Sequence, residues 1–170
     1  MTANNNRKLY PEANFPSDFK EQTILVAGAG GFIGGHLVAD LMQRGCRKIV
    51  AVDIKPIDQW YQVFSDIDNR VLDLTKSGAC YEAAQGCQKN YNLACDMGGM
   101  GFIEFNKSLC MRSVLINTHL LEAAKIHDCK RYFYASSACV YSADKQSTAD
   151  VAALKEDDVY PAMPEDGYGW

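Results

Sequence analysis

The sequence carries no excess of positive charge: 17 Lys and Arg stand against 21 Asp and Glu, a formal net charge of −4. An acidic chain has little basic surface to set against a phosphate polymer, so nucleic acid is not an expected partner, although a local pocket for one small phosphorylated ligand is still allowed. There is no run of eighteen apolar residues, so neither a membrane-spanning helix nor a membrane partner is predicted. The first twenty residues are polar, contain Pro11 and Pro16 and have no apolar signal core. They read as a loosely held N-terminal arm (1–20) ahead of a single domain over 21–170. No Cys-x-x-Cys occurs, and the seven cysteines, at 46, 80, 87, 95, 110, 129 and 139, are odd in number. All but Cys139 lie in apolar surroundings as small core fillers. Neither a disulfide scaffold nor a metal site is expected, and a reducing cytoplasm is.

What the chain does contain is an alternation of apolar runs and helical spacing. Ile24 to Ala27 are continuously apolar, as in a buried parallel strand, and a glycine-rich turn comes directly after. Ile33, Leu37, Val38 and Leu41 then recur at helical spacing, with Gly45 as the stop. "KIVAVD" reads as a second strand ending at Asp53, Val71 and Leu72 as a third, and "TKSGACYEAAQGC" as a helix. "NYNLAC" reads as a fourth strand and residues 104–127 as a loosely broken helix. "RYFYASS" supplies a fifth strand finishing near Ala135. The pattern predicts an α/β fold, a Rossmann-type parallel sheet with helices on both faces. From Ala143 to Pro164 it dissolves into a long connection of the functional or mobile kind.

Between the first strand and first helix, "GAGGFIG" spaces Gly28, Gly31 and Gly34 three residues apart. In a dinucleotide-binding turn these permit, in order, the tight turn, the approach of a pyrophosphate and the close packing of the helix. The helix start at Phe32 and Ile33 adds unpaired N–H groups and a favourable dipole. Asp53, nineteen residues beyond Gly34, stands where a carboxylate accepts from an adenosine ribose. It would repel a 2′-phosphate, favouring NAD over NADP, with nearby Lys55 pulling the other way. The competing reading of the turn is simple packing. Asp73 has two readings, acceptor for an adenine amino group or acid of a turn or helix cap. Asn92 and Ala94 also have two, small residues that let backbone lie along the cofactor or packing residues.

"YFYASSACVY" places Ser136 and Ser137 just past the carboxyl edge of the sheet, where open α/β sheets bind ligands. A hydroxyl there can bond a substrate oxygen that becomes a carbonyl. Cys139, two residues on, is either a proton-exchanging thiol, if a cation or helix end lowers its pKa, or a buried structural one.

Together "GAGGFIG", "DMGGMGF", "YFYASSACVY" and "EDGYGW" resemble the extended short-chain dehydrogenase/reductase superfamily and, within it, the GDP-mannose 3,5-epimerases. The glycine motif carries the superfamily alone; "DMGGMGF" with "SSACVY" carries the narrower family. The resemblance runs over residues 22–170, the N-terminal half of a typical member. It implies Tyr168 as the catalytic tyrosine, Ser137 as the assisting hydroxyl and Cys139 as an acid/base. Gly98, Gly99, Met100 and Gly101 match the loop bordering substrate sugar and cofactor, with Ser137 and Cys139 also on the substrate. The lysine expected four residues after the tyrosine would fall beyond Trp170, as would the lysine partnering the cysteine and the substrate domain. The polypeptide as given is therefore expected to be inactive, with NAD binding at most.

For a complete member the resemblance implies NAD as cofactor, a GDP-sugar substrate and a homodimer. The implied chemistry is transient oxidation at sugar C4 with proton exchange at C3 and C5. A different NAD-dependent nucleotide-sugar epimerase or dehydratase is the nearest alternative, and a non-catalytic nucleotide-binding or partner-binding module is another. One departure stands out: "SLCMRSVLINTHLLEAA" is one residue shorter than similar family helices, which carry paired asparagines near Ser113. Such a deletion rotates the remainder of the helix by about 100°. A local bulge or abnormal packing is expected, and the role of Asn117 stays open.

Overall fold

The computed structural model describes residues 18–145, 153–160 and 163. Ile24–Ala27 form β1, Ile49–Asp53 β2, Asp68–Val71 β3, Lys89–Asn92 β4 and Arg131–Tyr134 β5. Between them run α1 (Phe32–Gln43), α2 (Ser77–Ala84), α3 (Met100–Phe105), α4 (Lys107–Cys110) and α5 (Arg112–Ile126). All strand pairs are parallel, in the order β3-β2-β1-β4-β5. The chain steps outward from β1 through β2 and β3, then returns to the other side of β1 for β4 and β5. The loops leaving β1 and β4 therefore diverge and open a crevice at the carboxyl edge.

β1 lacks polar alternation because both its faces are covered. Ile24 and Val26, with Ile49 and Ala51 of β2, pack against Val38 and Leu41 of α1 and against Trp60. Leu25 and Ala27, with Val50 and Val52, pack against Cys80 and Ala83 of α2 and Ile116 and Leu120 of α5. Each large side chain buried this way contributes about 1.5–3 kcal/mol. α1 stops as its sequence suggests: Gly45 takes φ +93°, and the Cys46 N–H donates to Leu41 O at 3.0 Å.

The outer strands differ from the sequence expectation. β3 is the polar segment Asp68–Val71, ending before Leu72, and Val71 is exposed. β5 ends at Tyr134 and lies at the sheet edge, with Phe133 and Tyr134 about half exposed on its two faces and Tyr132 packed against the core. β4 stops at Asn92 rather than running to Cys95. Phe19, within the stretch read as an arm, is buried under the α1 layer; Lys89 Nζ lies 4.3 Å from its ring centre. Of the six cysteines read as core fillers, Cys46, Cys80, Cys87 and Cys110 are buried, Cys95 is exposed and Cys129 intermediate.

The predicted helix over 104–127 is three pieces. Asn106 leaves helical geometry (φ −128°, ψ 38°), and its Nδ2 donates to Phe102 O at 2.8 Å. At Met111 the turn tightens: Val114 N–H reaches Met111 O at 3.1 Å and Leu115 N–H the same oxygen at 3.5 Å. Beyond this irregularity α5 packs normally, burying Ile116, Leu120, Ala123 and Ala124. Within the long connection, 3-10 turns at Ala143–Lys145 and Glu156–Val159 are joined by Lys145 Nζ to Asp158 Oδ1 at 2.8 Å. Among the described residues no helix is long and apolar enough to cross a membrane, and no cluster of three acidic, Cys or His side chains could hold a metal.

Candidate nucleotide site

The crevice is built outward from the turn after β1. Gly28 takes φ +83° and its N–H donates to Val52 O at 2.8 Å, tying the turn to β2. A Cβ at Gly28 would stand 2.8 Å from the Leu93 carbonyl, and one at Gly34 would run into the Gly28 oxygen. Gly31 is less constrained inside the chain: its Cβ would meet Gly28 O at 3.3 Å, so the protein itself barely requires glycine there. Gly31 is the extended N-cap of α1, whose first N–H groups have no carbonyl one turn earlier.

Asp53 is buried, and its carboxylate spans two segments. Oδ2 accepts from Gly30 N–H at 3.0 Å and Oδ1 from Lys55 N–H at 3.1 Å. Its first observed role is thus to clamp the glycine turn to the end of β2. Trp60, which sequence reasoning missed, supports the turn from the core side. Its ring faces Gly30 so closely that a Cβ there would stand 2.8 Å from it, and its Nε1–H donates to Lys55 O at 2.8 Å.

A cavity of about 520 Å³ opens above these residues. From the first βα turn and the start of α1 it takes Gly28, Gly31, Phe32, Ile33 and Gly34, and from the end of β2 and the loop beyond it Asp53, Ile54 and Lys55. The β3 end adds Leu72 to Thr75, the β4 end Leu93 to Asp96, and α5 and β5 add Arg112, Ile116 and Ala135. Phe32 and Ile33 are 61% and 68% exposed, apolar side chains standing at the mouth instead of in the core. Of the nine residues predicted to hold the cofactor, eight line this one space.

The ninth, Asn92, is buried beneath it. Its Nδ2 donates to Asn117 Oδ1 at 3.2 Å and to the Tyr132 hydroxyl at 3.1 Å, and its Oδ1 accepts from Ala94 N–H at 3.2 Å. It braces the loop that carries Ala94, and Asn117, whose role was open, orients it. Burial pushes the Tyr132 hydroxyl up to about 12, so it stays a neutral member of this network. Asp73 is a turn acid: its Oδ1 accepts from Thr75 N–H at 3.0 Å and Oγ1–H at 2.6 Å, which hold its carboxyl below the usual range. It faces the cavity as well, so both readings of Asp73 remain compatible.

Sequence reasoning also missed Arg112, at the first position of α5. Its NH1 lies 3.0 Å from Asp96 Oδ2 and its NH2 3.9 Å from Asp73 Oδ1, linking the loops after β4 and β3.

The predicted chemical residues stand apart. Ser137 caps a 3-10 turn (Ala138–Val140), its Oγ accepting from Cys139 N–H at 3.2 Å; Ser137 is exposed and Cys139 of intermediate exposure. Neither lines the cavity, but both come shortly after Ala135, which does. Gly98 and the N-cap Gly99 lead from the loop leaving β4 into α3, which Met100 and Gly101 begin; a Cβ at Gly98 would stand 2.8 Å from the Phe102 side chain, while Gly99 and Gly101 face open space. Tyr168 lies outside the described residues.

Residues 24–169 match the family described as NAD dependent epimerase/dehydratase. GDP-mannose 3,5-epimerase 1 of Oryza sativa subsp. japonica is 40% identical over 163 residues, 95% of this chain and 42% of that protein. GDP-mannose 3,5-epimerase of Arabidopsis thaliana is 38% identical over 164 residues, 96% of this chain and 43% of that protein. The chain thus spans less than half the length of these relatives. The structure of MoeE5 in complex with UDP-glucuronic acid and NAD superposes with a TM-score of 0.69 at 29% identity, over 86% of this chain and 44% of that one. A glycine turn at the reversal point of a parallel sheet and a match starting at the first residue of β1 agree: the chain belongs to the NAD dependent epimerase/dehydratase family.

Proposed function

We propose that these residues form the NAD-binding part of a nucleotide-sugar epimerase, and that the protein containing them is a GDP-mannose 3,5-epimerase. The carrying observation is the convergence of the glycine turn, Asp53 and Asp73 on one cavity at the carboxyl edge of the sheet. Identity of about 40% to GDP-mannose 3,5-epimerases supports the narrower reading.

The residues fit the cofactor's shape and charge. Backbone approaches at Gly28 and Gly34 leave no room for Cβ atoms, so the turn stays low against the sheet, and Gly31 leaves the space above it open to a pyrophosphate. Asp53 and Asp73 are acceptors for a ribose hydroxyl and an adenine amino group; Asp53 disfavours a 2′-phosphate. Bound NAD would supply a reversible two-electron acceptor for the sugar C4 alcohol.

In this reading Tyr168 takes the proton of the C4 hydroxyl. Ser137 Oγ already accepts from Cys139 N–H, which leaves its own proton to donate to the sugar oxygen as it gains carbonyl character. A carbonyl at C4 acidifies the hydrogens at C3 and C5, and Cys139 exchanges a proton there. The substrate is a GDP-sugar bordered by the Gly98–Gly101 loop, and the complete protein acts as a cytoplasmic homodimer.

Two measurements test this. Calorimetric titration of the 170-residue chain should show binding of NAD in preference to NADP; the opposite preference would sink the role of Asp53. The longer protein containing these residues, incubated with GDP-mannose in deuterated water, should exchange hydrogen at C3 and C5. Cys139→Ala should suppress that exchange more than the oxidation, whereas equal loss of both would make Cys139 structural. Exchange at other carbons alone would favour a different nucleotide-sugar epimerase or dehydratase.

A further inference from the structure

Arg112 stands where helix electrostatics disfavour it. As the first residue of the fifteen-residue α5, its cation meets the positive end of the helix dipole. Two carboxylates offset this, and they come from different loops: Asp96 after β4 at 3.0 Å and Asp73 after β3 at 3.9 Å. The three side chains are each roughly a third or more exposed (36%, 34% and 41%), so the bridge adds little to stability. All three line the cavity, which points to a role toward what the cavity holds.

The contacts to Asp73 have a common geometry. Thr75 N–H, Thr75 Oγ1 and Arg112 NH2 all approach Oδ1 among the described residues. Oδ2 is left for a ligand. A carboxylate held ionised chiefly by the two Thr75 donors, with the Arg112 charge beside them, is an acceptor only. It matches a base edge bearing an amino group and repels one bearing a carbonyl. At C6 adenine carries the amino group and hypoxanthine a carbonyl, with its only N–H of that edge one atom along at N1, so a carboxylate aimed at C6 meets a donor in one and an acceptor in the other.

We infer that Arg112 is a positioning residue for purine selection: its charge, facing Oδ1 from across the crevice, biases the Thr75-held Asp73 so that the site prefers an amino-bearing purine dinucleotide over its deaminated counterpart. This rests on the dinucleotide reading above and adds to it a base-discriminating function for a side chain that touches the base only through Asp73. A lysine at this position, a point charge without the guanidinium fork, can serve one carboxylate at a time.

The test is calorimetric titration of the 170-residue chain with NAD and with nicotinamide hypoxanthine dinucleotide. The unaltered chain should prefer NAD by about ten-fold, the worth of one charge-assisted hydrogen bond. Arg112→Met should weaken NAD several-fold and leave the hypoxanthine dinucleotide within about two-fold, collapsing the preference, with Arg112→Lys intermediate. A general loosening of the loops would weaken both dinucleotides alike and would overturn the inference, as would an unchanged preference. Should Arg112→Met fail to fold, Asp73→Asn decides, since an amide can donate to the hypoxanthine carbonyl. The preference must then vanish or invert, and its persistence overturns the inference. Failure of the unaltered chain to bind either dinucleotide would instead overturn the dinucleotide reading itself.

Discussion

Substituting alanine for each of the three motif glycines separates packing from ligand binding. At Gly34 the added Cβ would run into the Gly28 oxygen and stand 2.8 Å from both Gly28 C and Ala29 Cα, all backbone atoms of a turn hydrogen-bonded to β2. Ordinary contacts begin near 3.4 Å, so the turn must shift, at a cost of about 3 kcal/mol or more. At Gly28 the methyl meets the Leu93 carbonyl at 2.8 Å, and φ of +83° adds about 1–2 kcal/mol. At Gly31 the nearest atom is 3.3 Å away and the backbone is extended, so the cost is that of alanine replacing glycine at an N-cap, about 1 kcal/mol. Urea unfolding at a constant m value, read by far-ultraviolet circular dichroism, gives the order Gly34→Ala, Gly28→Ala, Gly31→Ala from most to least destabilised. NAD affinity should behave differently: Gly31→Ala, the least destabilised of the three, should bind at least about ten-fold more weakly because its methyl occupies pyrophosphate space. A stable Gly34→Ala would refute the packing argument, and unchanged NAD binding by Gly31→Ala would refute the ligand argument.

Three further outcomes are expected. Thr75 holds the Asp73 carboxyl below the usual carboxylate range, so this group adds stability above its unfolded pKa and loses it as pH falls through the lower folded value. Asp73→Asn should be less stable than the parent at neutral pH, with the gap closing as pH drops below about 4; a gap independent of pH would contradict the assignment. Burial pushes the Cys80 and Cys87 thiols up to about 12, so an alkylating reagent on the folded chain should mark Cys95, Cys129 and Cys139 well before them, as read by peptide mass mapping. Asn90 is buried beside Leu25 and Tyr132 in the sheet register, and neither amide atom has a partner among the described residues. Asn90→Val should therefore raise the urea midpoint, by about 1–2 kcal/mol of stability, and a fall would show that the amide is held.

The glycine turn and Asp53 were readable because they lie on one continuous segment, where strand, turn, helix and strand come in order and each residue type has a local reason. β1 and β2 were readable because burial on both faces demands unbroken apolar sequence. β3 was not: Asp68, Asn69 and Arg70 carry no strand signal, and it is the ladder with β2, Val50 opposite Asp68, that makes them a strand. The break at Asn106 and the tightened turn at Met111 were blurred for a similar reason. Helical periodicity runs through both, and the start of α5 at Arg112 emerges only when they are in place.

Local chemistry along the chain thus dictates the α/β class, the glycine turn and the edge of the sheet where the cavity opens. The pairings depend on folding, because residues distant in sequence meet there. Asn92 joins Asn117 and Tyr132, Trp60 packs against Gly30, and Arg112 reaches Asp73 and Asp96 from two separate loops. The last of these depends on strand order most directly, since it is the return of the chain across β1 that brings the ends of β3 and β4 to one crevice. Periodicity records which face a residue presents, whereas the neighbour it meets on that face is set by the register and order of the sheet.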